Sequence, residues 1–375
     1  MLRAFISGDL TKVGDAYVDG RLTVDGKIDD VVEAGIAFAD RIGGLVATKA
    51  ALSFHRLVAR GRRREDARDI RSHYDVSNEF YRLWLGERMI YSCAYFRLGN
   101  EDIDSAQEQK LEHVCRKLAL KPGERLLDVG CGWGGLLEFA ARRYDIEGVG
   151  VTLSENQYAF MREMIAREGL EKQIEVCLRH YRDFVDEEGF DKIVSIGMYE
   201  HVGVDNWRTY FGSIARLLRP GGAFLNHGVI ATDPHGESHG PDFGDFIARH
   251  VFPGGAIAHL SRTVYEIADA GLELADIEDL RPHYARTLRC WSRRLESRAA
   301  EAIACAGPER FRIWDTYLAG MAYAFDRGWL SVAQALAYKP GSNDWPAIRP
   351  WTREHQYSDG AAVLTEPRQD RLKLI

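Results

Sequence analysis

Leu126-Leu127-Asp128-Val129-Gly130-Cys131-Gly132-Trp133-Gly134-Gly135 is the stretch that decides the fold. Leu126 to Val129 reads as a short buried strand carrying one acid. A run of glycines follows, and Leu136, Leu137 and Phe139 then mark the first turns of a helix. Glycines at such a turn let the chain bend sharply and bring backbone N–H groups against a ligand, while the helix N-terminus adds positive potential. Gly130, Gly132 and Gly135 also satisfy the G-x-G-x-x-G pattern of a dinucleotide fold. Against a nicotinamide cofactor, the second strand, Gly148-Val149-Gly150-Val151-Thr152-Leu153, ends without the acid that such a fold places on the ribose. The stretch predicts a nucleotide-type cofactor site.

Asp128, Gly130, Gly132 and Gly134 form the D-x-G-x-G-x-G signature of S-adenosylmethionine (SAM) methyltransferases. Outward from it, strands and helices alternate. Strands are expected at Arg125 to Val129, Glu147 to Val151, Ile174 to Leu178, Phe190 to Ile196 and Ala223 to Ile230. Helices are expected at Asp104 to Leu118, at Glu155 to Gly169 capped by Ser154, and at Asn206 to Leu218. Short connections in this order imply an α/β fold: a Rossmann-like methyltransferase sheet, mostly parallel, with helices on both faces. Ligands then sit beyond the carboxyl ends of the strands, where Thr152-Leu153, Tyr181-Arg182 and Met198-Tyr199-Glu200-His201 fall. A polar, glycine-rich stretch at about 231 to 262 reads as a lid insertion. A sixth strand, Leu272 to Ile277, precedes a helix through Trp291 and Leu295. A further helix is expected from Phe311 to Arg327 and a last strand from Leu330 to Tyr338. Residues 1 to 60 form a small separate region with a helix from Asp29 to Leu57. Residues 61 to 340 are the catalytic domain, and 341 to 375 an irregular tail pinned by its aromatics.

With 375 residues, 46% apolar and 28% charged, the chain has the composition of a soluble protein with a large core. A net charge of −7 argues against general nucleic-acid binding. Six cysteines show no C-x-x-C spacing, which fits reduced thiols in the cytoplasm better than disulfides or a zinc site; no metal site is expected. No signal-peptide core follows Met1, and no run of about 18 apolar residues offers a membrane span.

Between Arg56 and Arg71 lie seven arginines against three acids. A solvated helix face accounts for them, and so does contact with anionic lipid headgroups, worth on the order of 1 kcal/mol per basic residue. Ser77 is placed to cap a helix bearing Phe80, Tyr81 and Trp84. Cys93, amid Met89 to Phe96, reads by itself as a buried small hydrophobe.

Taken together, the motifs are similar to those of the cyclopropane-fatty-acyl-phospholipid synthase family, related to mycolic acid methyltransferases. The likeness runs from about Leu2 to Tyr338. It is carried by His73-Tyr74-Asp75, Tyr91-Ser92-Cys93-Ala94-Tyr95-Phe96, the Leu127 to Gly135 loop, Gly150-Val151-Thr152-Leu153-Ser154, Ser195 to Gly203, and His283-Tyr284 with Thr287-Leu288 and Trp291. The resemblance implies methylene transfer from SAM to the cis double bond of unsaturated phospholipid acyl chains, closing a cyclopropane ring. It implies a SAM site of Tyr74, Tyr91, Ser92, Asp128, Gly130, Gly132, Gly134, Thr152, Leu153 and Gln157, with Tyr181 and Arg182 near the adenine. It further implies a bicarbonate base held by Cys93, Glu200, His227, the backbone of Val229, and Tyr284. Alone, each of these residues has a plain structural reading, such as a helix-start acid, a strand histidine or a packing tyrosine. Some members carry a cysteine in the late helix where Met321 stands here, and a thioether excludes a thiolate nucleophile at that place. The same resemblance implies a cytoplasmic enzyme on the inner face of the membrane, with phospholipid as partner and a lipid-docking or dimerising role, as a homodimer, for the N-terminal region. Methyl- or methylene-branched products, N-methylation of a small amine, and a non-enzymatic SAM- or lipid-binding module are the rival readings.

Overall fold

Residues 10–43, 77–234, 244–252, 255, 257–341 and 349–357 are described by the structure, a computed structural model. They begin with helices α1 (Leu10–Val18), α2 (Ile28–Gly43), α3 (Asn78–Leu85) and α4 (Ile103–Lys117). The alternating part follows as β1 (Arg125–Val129), α5 (Gly135–Tyr144), β2 (Glu147–Thr152), α6 (Glu155–Glu168), β3 (Ile174–Leu178), β4 (Phe190–Ile196), α7 (Trp207–Leu217) and β5 (Leu218–Ala231). The chain continues through α8 (Gly244–His250), α9 (Leu260–Asp269), β6 (Glu273–Asp279), α10 (Arg281–Ser297), α11 (Ala299–Asp326), β7 (Leu330–Tyr338) and α12 (Glu354–Tyr357).

One sheet of order β3-β2-β1-β4-β5-β7-β6 results. Strands β1 to β5 pair in parallel, and β7 runs antiparallel between β5 and β6. The chain winds outward from β1 to β3 and then returns to the other side of β1 as β4. The loops after β1 and β4 therefore diverge, which opens a crevice at the carboxyl ends of these strands.

Local sequence explains the pieces. Helices cover β1 on both faces, so it reads as an apolar run. Leu126 joins the cluster holding Leu111 and Val114 of α4, and Leu127 joins the opposite one with Phe211 and Ile214 of α7. Serine hydroxyls start two of the helices by accepting an otherwise unpaired N–H. Ser154 Oγ accepts from Gln157 N–H at 3.3 Å to start α6, and Ser77 Oγ accepts from Phe80 N–H at 3.3 Å to start α3. Beside the sheet, α3, α10 and α11 bring Trp84, Trp291 and Trp314 into an aromatic core.

Helices α1 and α2 pack on the rest of the chain. Tyr17 OH donates to Asp315 Oδ2 of α11 at 3.0 Å, and Ile28 N–H to Glu296 Oε1 of α10 at 3.0 Å. Only Ile28–Gly43 of the helix expected to reach Leu57 is described; residues 44 to 57 lie outside the described residues, as do Tyr74 and the arginines from 56 to 71. Three expectations are refined. The helix expected from Phe311 is the second segment of α11, which begins at Pro308 after a break at Gly307 (φ 83°), and an alanine-rich segment of high helix propensity from Ala299 precedes that break. Strand β5 is paired from Leu218, with a register break where residues 219 to 222 loop out. Polar contacts help to hold the described part of the tail: Arg353 pairs with Asp276 at 2.5 Å and Gln356 Nε2 donates to Asp276 Oδ2 at 3.3 Å, while Trp351 is 87% exposed and Tyr357 is the aromatic that packs, its ring 5.7 Å from that of His113.

Candidate active site

Two cavities meet at the switch point. The first, of about 960 Å³ out to its open mouth, lies over the glycine loop. Gly130 N–H and Cys131 N–H both donate to Val151 O, at 2.9 and 3.1 Å, which fastens the loop to β2. Gly132 holds φ +55°, and a Cβ there would have no described protein atom within 4 Å. That is the backbone surface a closely approaching ligand requires. Asp128 lies beneath, buried, and burial pushes its carboxyl up to about 7 against the pull of Lys110. Thr152 Oγ1 donates to Gln157 Oε1 at 2.7 Å, so the end of β2 and the start of α6 present one polar wall.

Tyr91, Ser92, Asp128, Gly130, Gly132, Thr152, Leu153, Gln157 and Tyr181 all line this cavity. Two expected residues do not. Gly134 caps α5 with φ 83° and packs toward Met161. Arg182 is exposed and lies over the outer face of the Tyr181 ring, its carbon 5.5 Å from the centroid, with Nε donating to Tyr181 OH at 3.1 Å.

The second cavity, about 910 Å³, shares Tyr91, Ser92, Gly197 and His201 with the first. Cys93, Glu200, His227, Val229 and Tyr284 line it, so the structure brings together all five residues expected around the base. Its remaining wall is greasy: Ile247, Phe252, Ile257, Met321, Leu330 and Val332. Ile247 belongs to α8 and Phe252 and Ile257 follow it, so the 231 to 262 insertion supplies one side. Helix α8 is itself held by α1, where Asp15 pairs with Arg249 and with His250 Nε2.

Polar groups inside this apolar chamber are costly unless they have work to do. Glu200 Oε1 accepts from Val229 N–H at 2.6 Å, whereas its Oε2 has no hydrogen-bond partner among the described residues. Burial raises this carboxyl to about 7, and the Val229 bond opposes that. His227 Nδ1 faces Gln334 Nε2 at 3.0 Å, and His227 Nε2 is buried without a partner among the described residues. Burial holds the ring neutral, lowering it to about 3. With the Gln334 amide donating to Nδ1, the ring proton sits on Nε2 as a donor. A small anion able both to accept from His227 and to hydrogen-bond with Glu200 fits these two orphaned atoms. The backbone of Val229, expected to help hold that anion, is already engaged: its N–H donates to Glu200 Oε1 and its carbonyl accepts from Tyr199 OH at 2.9 Å. Burial pushes the Cys93 thiol far above its ordinary range, and its Sγ donates to Ala94 O at 3.2 Å. It is not a nucleophile here.

Lys110 and Gln334 were not foreseen as site residues. Lys110 falls in the buried stripe of α4 with Ile103, Ala106, Leu111 and Val114, and a lysine at an apolar position of a helical repeat is the signal that points to it. Gln334 is the polar residue within an otherwise apolar run, Val332 to Leu336.

An acid on β1, a glycine cradle at the switch point and a polar wall at the end of β2 define a SAM-dependent methyltransferase. A probable fatty acid methyltransferase of Pseudomonas putida is 43% identical over 348 residues, 93% of this chain and 87% of its own. Cyclopropane mycolic acid synthase MmaA2 of Mycobacterium tuberculosis is 36% identical over 274 residues, 71% of this chain and 95% of its own. The solved structure of mycolic acid cyclopropane synthase CmaA1 complexed with SAH and CTAB superposes with a TM-score of 0.70 at 33% identity, covering 74% of this chain and 99% of that one. The chain belongs to the mycolic acid cyclopropane synthetase family, whose profile matches residues 61–335, and is thus a cyclopropane-forming or methyl-transferring enzyme acting on lipids.

Proposed function

We propose that the protein converts the cis double bond of unsaturated phospholipid acyl chains into a cyclopropane, with SAM as methylene donor and bicarbonate as general base. The observation that carries this reading is the pair of orphaned buried atoms, Glu200 Oε2 and His227 Nε2, in a greasy chamber joined to the cofactor cavity. Bound SAM supplies an electrophilic methyl carbon. An alkene that takes it up is left with a cation on the acyl chain, and ring closure then requires loss of a proton. Bound bicarbonate supplies a proton acceptor. Glu200, His227 and Tyr284 hold and orient that acceptor, and Cys93 closes the floor beside it. Ile247, Phe252, Met321 and Val332 seat the chain and keep water from capturing the cation. The rings of Tyr91, Tyr284 and Tyr317 offer π faces to the positive charge. An amine nucleophile needs no such quenching group, which disfavours N-methylation.

Work at the cytoplasmic face of a membrane, through the arginines from 56 to 71, belongs to the same proposal. A homodimer is its proposed form. No helix among the described residues is long and apolar enough to cross a membrane. Lipid mass spectrometry of cells with and without the gene tests the reading. It should show an added CH2 on monounsaturated chains with loss of the alkene, resisting hydrogenation to a straight chain. A branched product or an N-methylated headgroup in its place overturns it.

A further inference from the structure

Three lysines are buried in the described part of the molecule: Lys110, Lys117 and Lys192. Two have carboxylates for company. Lys117 Nζ lies 2.5 Å from Glu278 Oε2, and Lys192 Nζ lies 3.7 Å from Glu124 Oε1. Lys110, 2% exposed, differs: its Nζ donates to Ser92 Oγ at 3.0 Å, and among the described residues no carboxylate reaches ion-pair distance. An ammonium buried with no carboxylate at ion-pair distance, and only the weaker pull of Asp128 beside it, is disfavoured, so one that persists beside a cavity points to an anion belonging to the ligand.

The cavity is the cofactor's. Lys110, Ser92 and Asp128 all line it. Neither the adenine nor the ribose of SAM is negative at neutral pH; its one anionic group is the carboxylate of the amino-acid tail. The other basic residues on the wall suit that group less well. Arg179 is exposed to solvent, and burial holds His201 uncharged, lowered to about 4. Burial draws Lys110 down to about 8, with Cys93 and Asp128 opposing, so its charge is retained at neutral pH.

We propose that Lys110, together with Ser92 Oγ, receives the carboxylate of the cofactor's amino-acid tail. The lysine reaches it from below, off the buried face of α4, and Ser92 bridges the two cavities. Tail and chamber are thereby set in register through one residue.

Calorimetry on the full chain tests this without any lipid turnover, so its outcome is separate from that of the proposed reaction. The probes are S-adenosylhomocysteine and its decarboxylated analogue, on the wild type and on Lys110→Met. The wild type should favour the carboxylated ligand by roughly 30-fold or more, the scale for removing one partner of a buried charge pair. Lys110→Met should bind the two ligands about equally, with affinity for the decarboxylated one within about threefold of the wild type. Lys110→Gln serves, with the same ratio read out, where the methionine variant does not yield folded protein. Equal loss of both ligands means that the lysine only supports the loop, and an unchanged preference for the carboxylate places that group elsewhere. Either result overturns the assignment.

Discussion

Glu200 Oε1 takes the Val229 N–H at 2.6 Å, tying the 3-10 turn after β4 to the edge of β5. The bond uses one oxygen of the carboxylate and fixes the other in the chamber. Glu200→Gln keeps the shape and changes the charge and the hydrogen-bonding pattern. Turnover should fall by about 10²–10⁴-fold, the usual contribution of a positioned general base, with S-adenosylhomocysteine affinity nearly intact. Wild-type activity should also fall in bicarbonate-depleted buffer and recover on adding it back. Normal turnover of the variant together with indifference to depletion would show that the proton leaves by another route.

Gly228 stands between these two residues, against Tyr199. A Cβ there would lie 1.9 Å from Tyr199 Cε1 and 3.0 Å from Glu200 Oε1. The ring cannot retreat easily, since Tyr199 OH donates to Val229 O at 2.9 Å and the Trp207 ring packs 4.9 Å away. Gly228→Ala should cost about 1–3 kcal/mol of stability by overpacking. Thermal denaturation and turnover should fall together, and stability equal to the wild type would contradict the close approach.

Gly132→Val addresses the cofactor. The backbone there is left-handed, and no described protein atom blocks a new side chain. Holding that conformation costs a side-chain-bearing residue roughly 1–2 kcal/mol. A folded variant without measurable SAM binding by calorimetry is the expected result. Unchanged affinity would remove the glycine loop from the site.

His227 should make stability fall in mild acid. Its pKa is lowered to about 3 in the folded chain, from 6.5 in the open chain, so the unfolded state binds the extra proton between those values. Stability is therefore lost as pH drops through that window, by about 2 kcal/mol between pH 7 and pH 5. His227→Gln should show a shallower decline in denaturant midpoint over the same range, and a parallel decline would contradict the burial of the neutral ring.

The arginine cluster from 56 to 71 lies outside the described residues, so its proposed role is tested in solution. Binding to vesicles with anionic lipid should weaken with added salt and on charge reversal at Arg62, Arg63 and Arg64. Salt-independent binding with that variant unaffected favours a solvated face.

The methyltransferase half was legible because its signals are local. Strands β1, β3 and β4 lie where the apolar runs predicted, and Ser77 and Ser154 cap the helices they were expected to cap. Lys110 and Gln334 escaped because their meaning depends on what lies across a cavity or a strand pair, which spacing along the chain does not encode. Arg182, expected beside Tyr181 near the adenine, lies over the Tyr181 ring and outside the lining of the cofactor cavity. The backbone of Val229 was expected to face an anion, yet a carboxylate 29 positions earlier takes its N–H.

Strand β7, made late in synthesis, lies inside the sheet between β5 and β6. Its Gln334 is the residue that orients His227. Until β7 is in place, β6 has no strand beside it and His227 no amide to fix its ring. The orientation of a β5 histidine in the chamber thus waits on a strand 107 positions further along the chain.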